Sequence, residues 1–214
     1  MPPNVAYRDN DSVVVFGYGS LIWKPNFPYS QRIVGYVRGY KRRFYQGNVF
    51  HRGTPERPGR VATLIPSANP TTRVWGCAYE VTGSENIDIA FEHLNHREVI
   101  NGGYQFTKVQ FHPEPSKCFS NDPLEAWVCV HLQDWSSDNT SNVRLSVPNV
   151  ALYLGKAPID VQASEIARAH GVCGSNSEYV FQLANFMRNE VPLNEALKDD
   201  RYIFELENLV RIKI

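Results

Sequence analysis

The chain has 214 residues, and its 22 Lys+Arg balance 22 Asp+Glu, so the formal net charge is zero. That balance speaks against a general binder of nucleic acid or of membrane surfaces, which carries a basic excess. With 43% hydrophobic and 21% charged residues, the composition is that of a globular chain and not a disordered one, long enough to bury a core without a metal or disulfide staple.

In chain order, residues 1–12 read as a polar tail without the apolar stretch of a secretory signal. Residues 13–16, Val-Val-Val-Phe, form a short β-branched run ending at Gly17, the pattern of a buried strand. After a loop with Pro25 and Pro28, residues 33–45 are rich in Val, Tyr and Phe and read as one strand, with Gly35 and Gly39 as bulge positions. Residues 51–59, with Gly53, Pro55, Pro58 and Gly59, are expected as loop. Two more strands follow at 61–65 and 74–81. The period then changes. Thr82 and Glu85 fit a capping box, and Ile87, Ala90, Phe91, Leu94 and Glu98 fall on one helical face, ended by Gly102-Gly103. Residues 106–112 and 124–132 are strand-like, and the polar stretch 134–149 is expected as an exposed loop. The last quarter is helical. One helix runs from Pro158 to His170, and a second opens on the Ser175/Glu178 capping box and ends at Pro192. A third carries Tyr202, Ile203, Leu206, Leu209 and Val210. The order predicts an α+β fold with a mostly antiparallel sheet or barrel.

No run approaches the ~20 apolar residues that span a bilayer. Cys77, Cys118, Cys129 and Cys173 lie far apart without C-x-x-C spacing, which in a chain without a signal suits free thiols and a cytosolic location. His93 and His96 stand three apart, but no third ligand occurs at a typical spacing, so no metal is expected.

Two features carry chemistry. Gly17-Tyr18-Gly19-Ser20-Leu21-Ile22 begins like a dinucleotide fingerprint but lacks its third glycine, and it also lacks the G-K-[ST] of a P-loop. A buried strand running into this turn can aim consecutive N–H groups at an anion; the same glycines equally suit a bulge. Glu98 lies seven residues after Phe91 and four after Leu94, on the apolar side of its helix. Desolvation there raises a carboxyl's pKa and makes it a proton acceptor near neutrality; pairing with a cation such as Arg97 or Arg42 is the alternative.

These residues, with six further ordered segments, resemble the ChaC family of glutathione-specific gamma-glutamylcyclotransferases. The matching blocks are the strand and turn from Val15 to Trp23, Arg42-Arg43-Phe44-Tyr45-Gln46-Gly47, His51-Arg52-Gly53, Pro58-Gly59-Arg60-Val61, Trp75-Gly76-Cys77-Ala78-Tyr79, Arg97-Glu98 with Gly102-Gly103-Tyr104, Tyr153-Leu154-Gly155, and Asn176-Ser177-Glu178-Tyr179. They run in family order from residue 13 to about 190. The resemblance implies a gamma-glutamylcyclotransferase-like α+β fold, a small mixed or antiparallel β-barrel with flanking helices, and one catalytic domain over residues 13–214. It implies no cofactor, and glutathione as the small-molecule substrate, cleaved to 5-oxoproline and cysteinylglycine. It makes Glu98 the catalytic residue, and places substrate binding on Val15, Phe16, Gly17, Tyr18, Gly19, Ser20 and Leu21, with Tyr153 facing the pocket. Other γ-glutamyl substrates, or a non-catalytic binding module, are the competing readings.

Overall fold

The structure is a computed structural model and describes residues 7–100, 104–117, 122–130 and 153–214. The expected loop at 134–149, the Gly102-Gly103 helix stop and Cys118 lie outside the described residues. In chain order the strands are β1 (Ser12–Gly17), β2 (Gln31–Arg38), β3 (Tyr40–Asn48), β4 (Gly59–Pro66), β5 (Arg73–Thr82), β6 (Gln105–Pro113), β7 (Leu124–Val130), β8 (His170–Gly171) and β9 (Gly174–Ser175). The helices are α1 (Ser84–Leu94), α2 (Ile159–Arg168), α3 (Asn176–Asn189), α4 (Leu193–Asp199) and α5 (Arg201–Lys213). They fall into two compact units, Met1–Tyr40 with Ser67–Leu132, and Lys41–Pro66 with Gln133–Ile214.

The first unit is a closed barrel in the order β1-β5-β2-β6-β7. Its pairings are antiparallel except for the closure, where β1 runs parallel to β7 at Val15 and Trp127. β5 is the central strand, paired to β1 on one side and β2 on the other, and residues 74–79 are buried without a break. That continuous burial is why its sequence does not alternate. Two glycines let the strands approach. A Cβ on Gly35 would stand 2.2 Å from the His112 carbonyl oxygen, and one on Gly76 would stand 2.2 Å from that of Gly17. Phe16 and Phe111 fill the core, with ring centroids 5.6 Å apart. α1 lays its predicted face of Ile87, Ala90, Phe91 and Leu94 inward, and Phe91 meets the edges of Phe106 and Trp127.

The second unit holds the two-stranded β3–β4 sheet with α2 to α5. Arg42 is buried and pairs with Asp200 at 3.0 Å. Arg60 ties the unit together, donating to the carbonyls of Phe44 (2.9 Å) and Gly155 (3.0 Å) and pairing with Glu165. Glu207, facing inward from α5, is held by Arg188 and Arg211.

The structure corrects several expectations from the sequence. Residues 33–45 form two strands and not one, because Gly39 breaks the run at φ +79. The Thr82/Glu85 capping box is not made. Gly83, at φ +91, precedes the helix, and no side chain caps it; Ser84 instead donates to Asp9 at 2.6 Å. The α-helical face does not reach Glu98, since α1 ends at Leu94 and a π-helical turn, Asn95–Ile100, follows. At Ser175 half of the expected box forms. Its hydroxyl accepts from the Glu178 N–H (3.3 Å), while the Glu178 carboxylate turns to Arg52 (2.6 Å). Pro192 does not simply end a helix: it opens α4, which the sequence reading omitted.

Candidate functional site

β1 delivers the glycine turn to the barrel end. Val15 and Phe16 are buried within the strand. Gly17 closes it, and the chain doubles back so tightly that a Cβ there would lie 2.5 Å from that of Leu21. That approach, and not a bulge in the ladder, is what requires the first glycine. Gly19 then leads into a 3₁₀ turn, Ser20–Ile22, in which the amides of Ile22, Trp23 and Lys24 bond back to the Gly19 and Ser20 carbonyls.

Side chains from the barrel hold this turn in place. The buried Tyr18 hydroxyl donates to the Cys129 carbonyl on β7 at 2.8 Å. The Tyr79 hydroxyl, from β5, reaches the carbonyls of Leu21 (2.7 Å) and Ile22 (3.0 Å), and burial pushes its pKa up, so it remains a donor. Arg97 completes the set by donating to the Ser20 hydroxyl (2.5 Å) and the Lys24 carbonyl (2.7 Å).

Glu98 sits beside this cluster on the π-helical turn. One carboxylate oxygen lies 2.9 Å from Arg97 Nε, and each of these two side chains is 17% exposed. Burial raises the Glu98 pKa above the ordinary carboxylate value, and the Arg97 charge pulls against that rise. Burial and pairing, the two environments that the sequence offered for Glu98, are thus both present. The partner is Arg97; Arg42 is occupied with Asp200. Cys129 is near enough to feel the carboxylate, and burial plus that negative charge keep its thiol protonated, so it is no competing nucleophile. His93, at the end of α1, packs against Phe27 and is held below its ordinary pKa by burial and by Arg97.

Thus Gly17, Tyr18, Gly19, Ser20, Leu21 and Glu98 come together in the first unit, joined through Arg97. Tyr153 belongs to the second unit. It bridges Gln46 across from β3, and burial pushes its pKa to about 12. The neighbouring Leu154 and Gly155 amides both donate to the Tyr45 carbonyl. The sequence reading missed that Arg97 touches Ser20 and that Tyr79 pins the turn. A polar aromatic inside an unbroken buried strand was the available signal for Tyr79, since a buried phenol seeks a partner.

Known proteins carry the same arrangement of sequence. The chain is 40% identical to glutathione-specific gamma-glutamylcyclotransferase 1 of Danio rerio over 207 residues, covering 97% of this chain and 93% of that one. It is 42% identical to the Mus musculus protein of the same name, covering 87% and 74%. Its fold matches the crystal structure of a yeast gamma-glutamyl cyclotransferase specific to glutathione, with a TM-score of 0.76 and 29% identity over 95% of this chain and 97% of that one. The model of the ChaC-like protein family matches residues 13–213, and the chain belongs to that family.

Proposed function

We propose that this protein cleaves glutathione to 5-oxoproline and cysteinylglycine, with Glu98 as general base and then general acid. The observation that carries the reading is the desolvated Glu98 carboxylate, coupled through Arg97 to the glycine turn. The names of the relatives, specific for glutathione, support it. The family match runs across both compact units, which supports one catalytic domain over residues 13–214.

The substrate's own α-amino nitrogen attacks the γ-glutamyl carbonyl carbon. A C–N bond forms, closing the five-membered ring, and the C–N bond to the cysteine nitrogen breaks. Glu98 takes the proton the amine loses and returns it to the departing cysteinylglycine nitrogen. A raised pKa suits this exchange, because a base matched to the working pH both accepts and returns a proton readily. Such help is worth about 10²–10⁴ in rate. Holding amine and carbonyl in contact adds more, since effective molarities reach ~10⁵–10⁸ M. We assign the substrate's anionic groups to backbone N–H groups of the Tyr18–Leu21 turn on the family resemblance. Tyr153 we assign to the substrate pocket on the family resemblance. Free thiols at the described Cys77, Cys129 and Cys173 fit a reducing compartment such as the cytosol. Among the described residues no helix is long and apolar enough to cross a membrane.

The test is product analysis with purified protein and three substrates. Glutathione should give 5-oxoproline and cysteinylglycine in equal amounts, while γ-glutamyl-alanine and γ-glutamyl-lysine should turn over far more slowly. Faster turnover of either dipeptide would move the assignment to another γ-glutamyl substrate. Glutathione binding without products would make the protein a non-catalytic binder.

A further inference from the structure

Arg97 makes three separate contacts with one rigid, planar group. Nε meets the Glu98 carboxylate at 2.9 Å, one terminal nitrogen meets the Ser20 hydroxyl at 2.5 Å, and the other meets the Lys24 carbonyl at 2.7 Å. Two of these partners are neutral and flank the glycine turn; the third is the proton-transfer group. The fork geometry of a guanidinium fixes the angle between its contacts, which a lysine ammonium cannot reproduce. The neutral contacts hold the guanidinium without consuming its charge, so the charge acts on Glu98.

We infer that Arg97 is a positioning residue for the cyclisation, locking the Glu98 carboxylate to the glycine turn and setting a positive charge against it in a buried site. This rests on the reading of Glu98 as the base. Two opposed influences meet at that carboxyl: burial favours the neutral acid, which accepts no proton, and the Arg97 cation favours the carboxylate. Cys129 from β7 stays neutral beside it. His93 at the end of α1 is held toward its uncharged form, partly by Arg97 itself. The Tyr104 amide, leading into β6, meets the Glu98 backbone carbonyl and not the carboxylate. Among the described residues, Arg97 is therefore the cation that opposes desolvation there. The pair joins consecutive residues of the π-helical turn, whereas consecutive residues of an α-helix point apart.

The experiment compares the pH profile of kcat/KM for glutathione in wild type, Arg97→Gln and Arg97→Lys, with the melting temperature of each. Titrations of the substrate are common to all three and cancel in the comparison. Activity rises with pH as Glu98 ionises, so loss of the cation should move the acidic limb upward in Arg97→Gln by about one pH unit or more, with kcat down at least about tenfold. Arg97→Lys keeps the charge but not the fork; its limb should stay near that of wild type while kcat still falls. An acidic limb unmoved in Arg97→Gln, whatever its melting temperature, would overturn the inference and leave Arg97 a structural residue. If Arg97→Gln does not fold, Arg97→Lys decides: wild-type kcat in it would overturn the positioning role. A wild-type enzyme that does not turn over glutathione would instead overturn the underlying reading of function.

Discussion

At the scale of single residues, burial of the Glu98 carboxyl costs stability, and the proposed mechanism puts that buried group to use as the proton acceptor. Glu98 is an acid whose folded-state pKa lies above its ordinary value of 4.5. Between the unfolded and folded pKa values the native state holds more protons than the unfolded chain, so stability falls as pH rises through that window. It is greatest below the unfolded value. Glu98→Gln does not titrate and should escape this loss. Its melting temperature relative to wild type should therefore climb as pH rises from about 4.5 and then level off, leaving the variant at least as stable as wild type at neutral pH. Thermal melts of both proteins across that range check the claim; a Glu98→Gln deficit that grows with pH would mean that the Arg97 pair outweighs desolvation. The sequence pointed to Glu98 through a helical period that the structure ends at Leu94, and through the family motif. It offered Arg97 as a partner of Glu98 but did not disclose that the same side chain reaches Ser20, because sequence periodicity assumes α-geometry, and the relevant turn is π-helical. Such turns recur at functional sites because they re-aim side chains.

At the scale of elements, glycines mark the places where local pattern yields to close approach. Gly17 and Gly39 look alike in sequence, each interrupting a β-branched or aromatic run, but their surroundings differ. A Cβ at Gly17 meets Leu21 at 2.5 Å, within the turn that carries the site. A Cβ at Gly39 meets nothing within 4 Å, and only its φ of +79 resists a side chain. Gly39→Ala should cost about 1–2 kcal/mol from the left-handed backbone alone and leave kcat near wild type. Gly17→Ala should displace the turn and lower kcat/KM for glutathione at least about tenfold, since a misplacement near 1 Å costs that much or more. Denaturation curves and kinetics on the pair separate the two effects, and equal activity losses would contradict the distinction. Strand and helix positions were largely legible from β-branched runs and from the 3.6-residue period of α1, α3 and α5. The missed elements are those whose signals are shared. Pro192 reads equally as a stop or a start, and β8 and β9 are too short, at two residues each, to leave a pattern. The capping box at Thr82 failed because Gly83 already supplies the turn into α1.

At the scale of the molecule, a chain with no net charge offers no net attraction to a charged substrate, so the proposed recognition is local. On the proposed function it falls to a backbone turn pinned by Tyr18, Tyr79 and Arg97, and to one carboxylate beside it. The barrel supplies the rigidity those contacts need, since β1 and β5 carry the turn and its Tyr79 clamp on paired strands. The sequence made the α+β class and the barrel foreseeable through its order of strands and helices. The division into two compact units interleaved along the chain was not foreseeable, because the second unit begins within a run of strand-forming residues without a change in composition. The proposed function turns on proton transfer by Glu98 during the cyclisation. The most direct measurement is the steady-state rate of cysteinylglycine release from glutathione by Glu98→Gln against wild type, at a temperature well below the melting temperature of both. The account predicts a fall of about 10²–10⁴ in kcat with the fold intact; a rate within about threefold of wild type, far smaller than the loss of a general base, would contradict it.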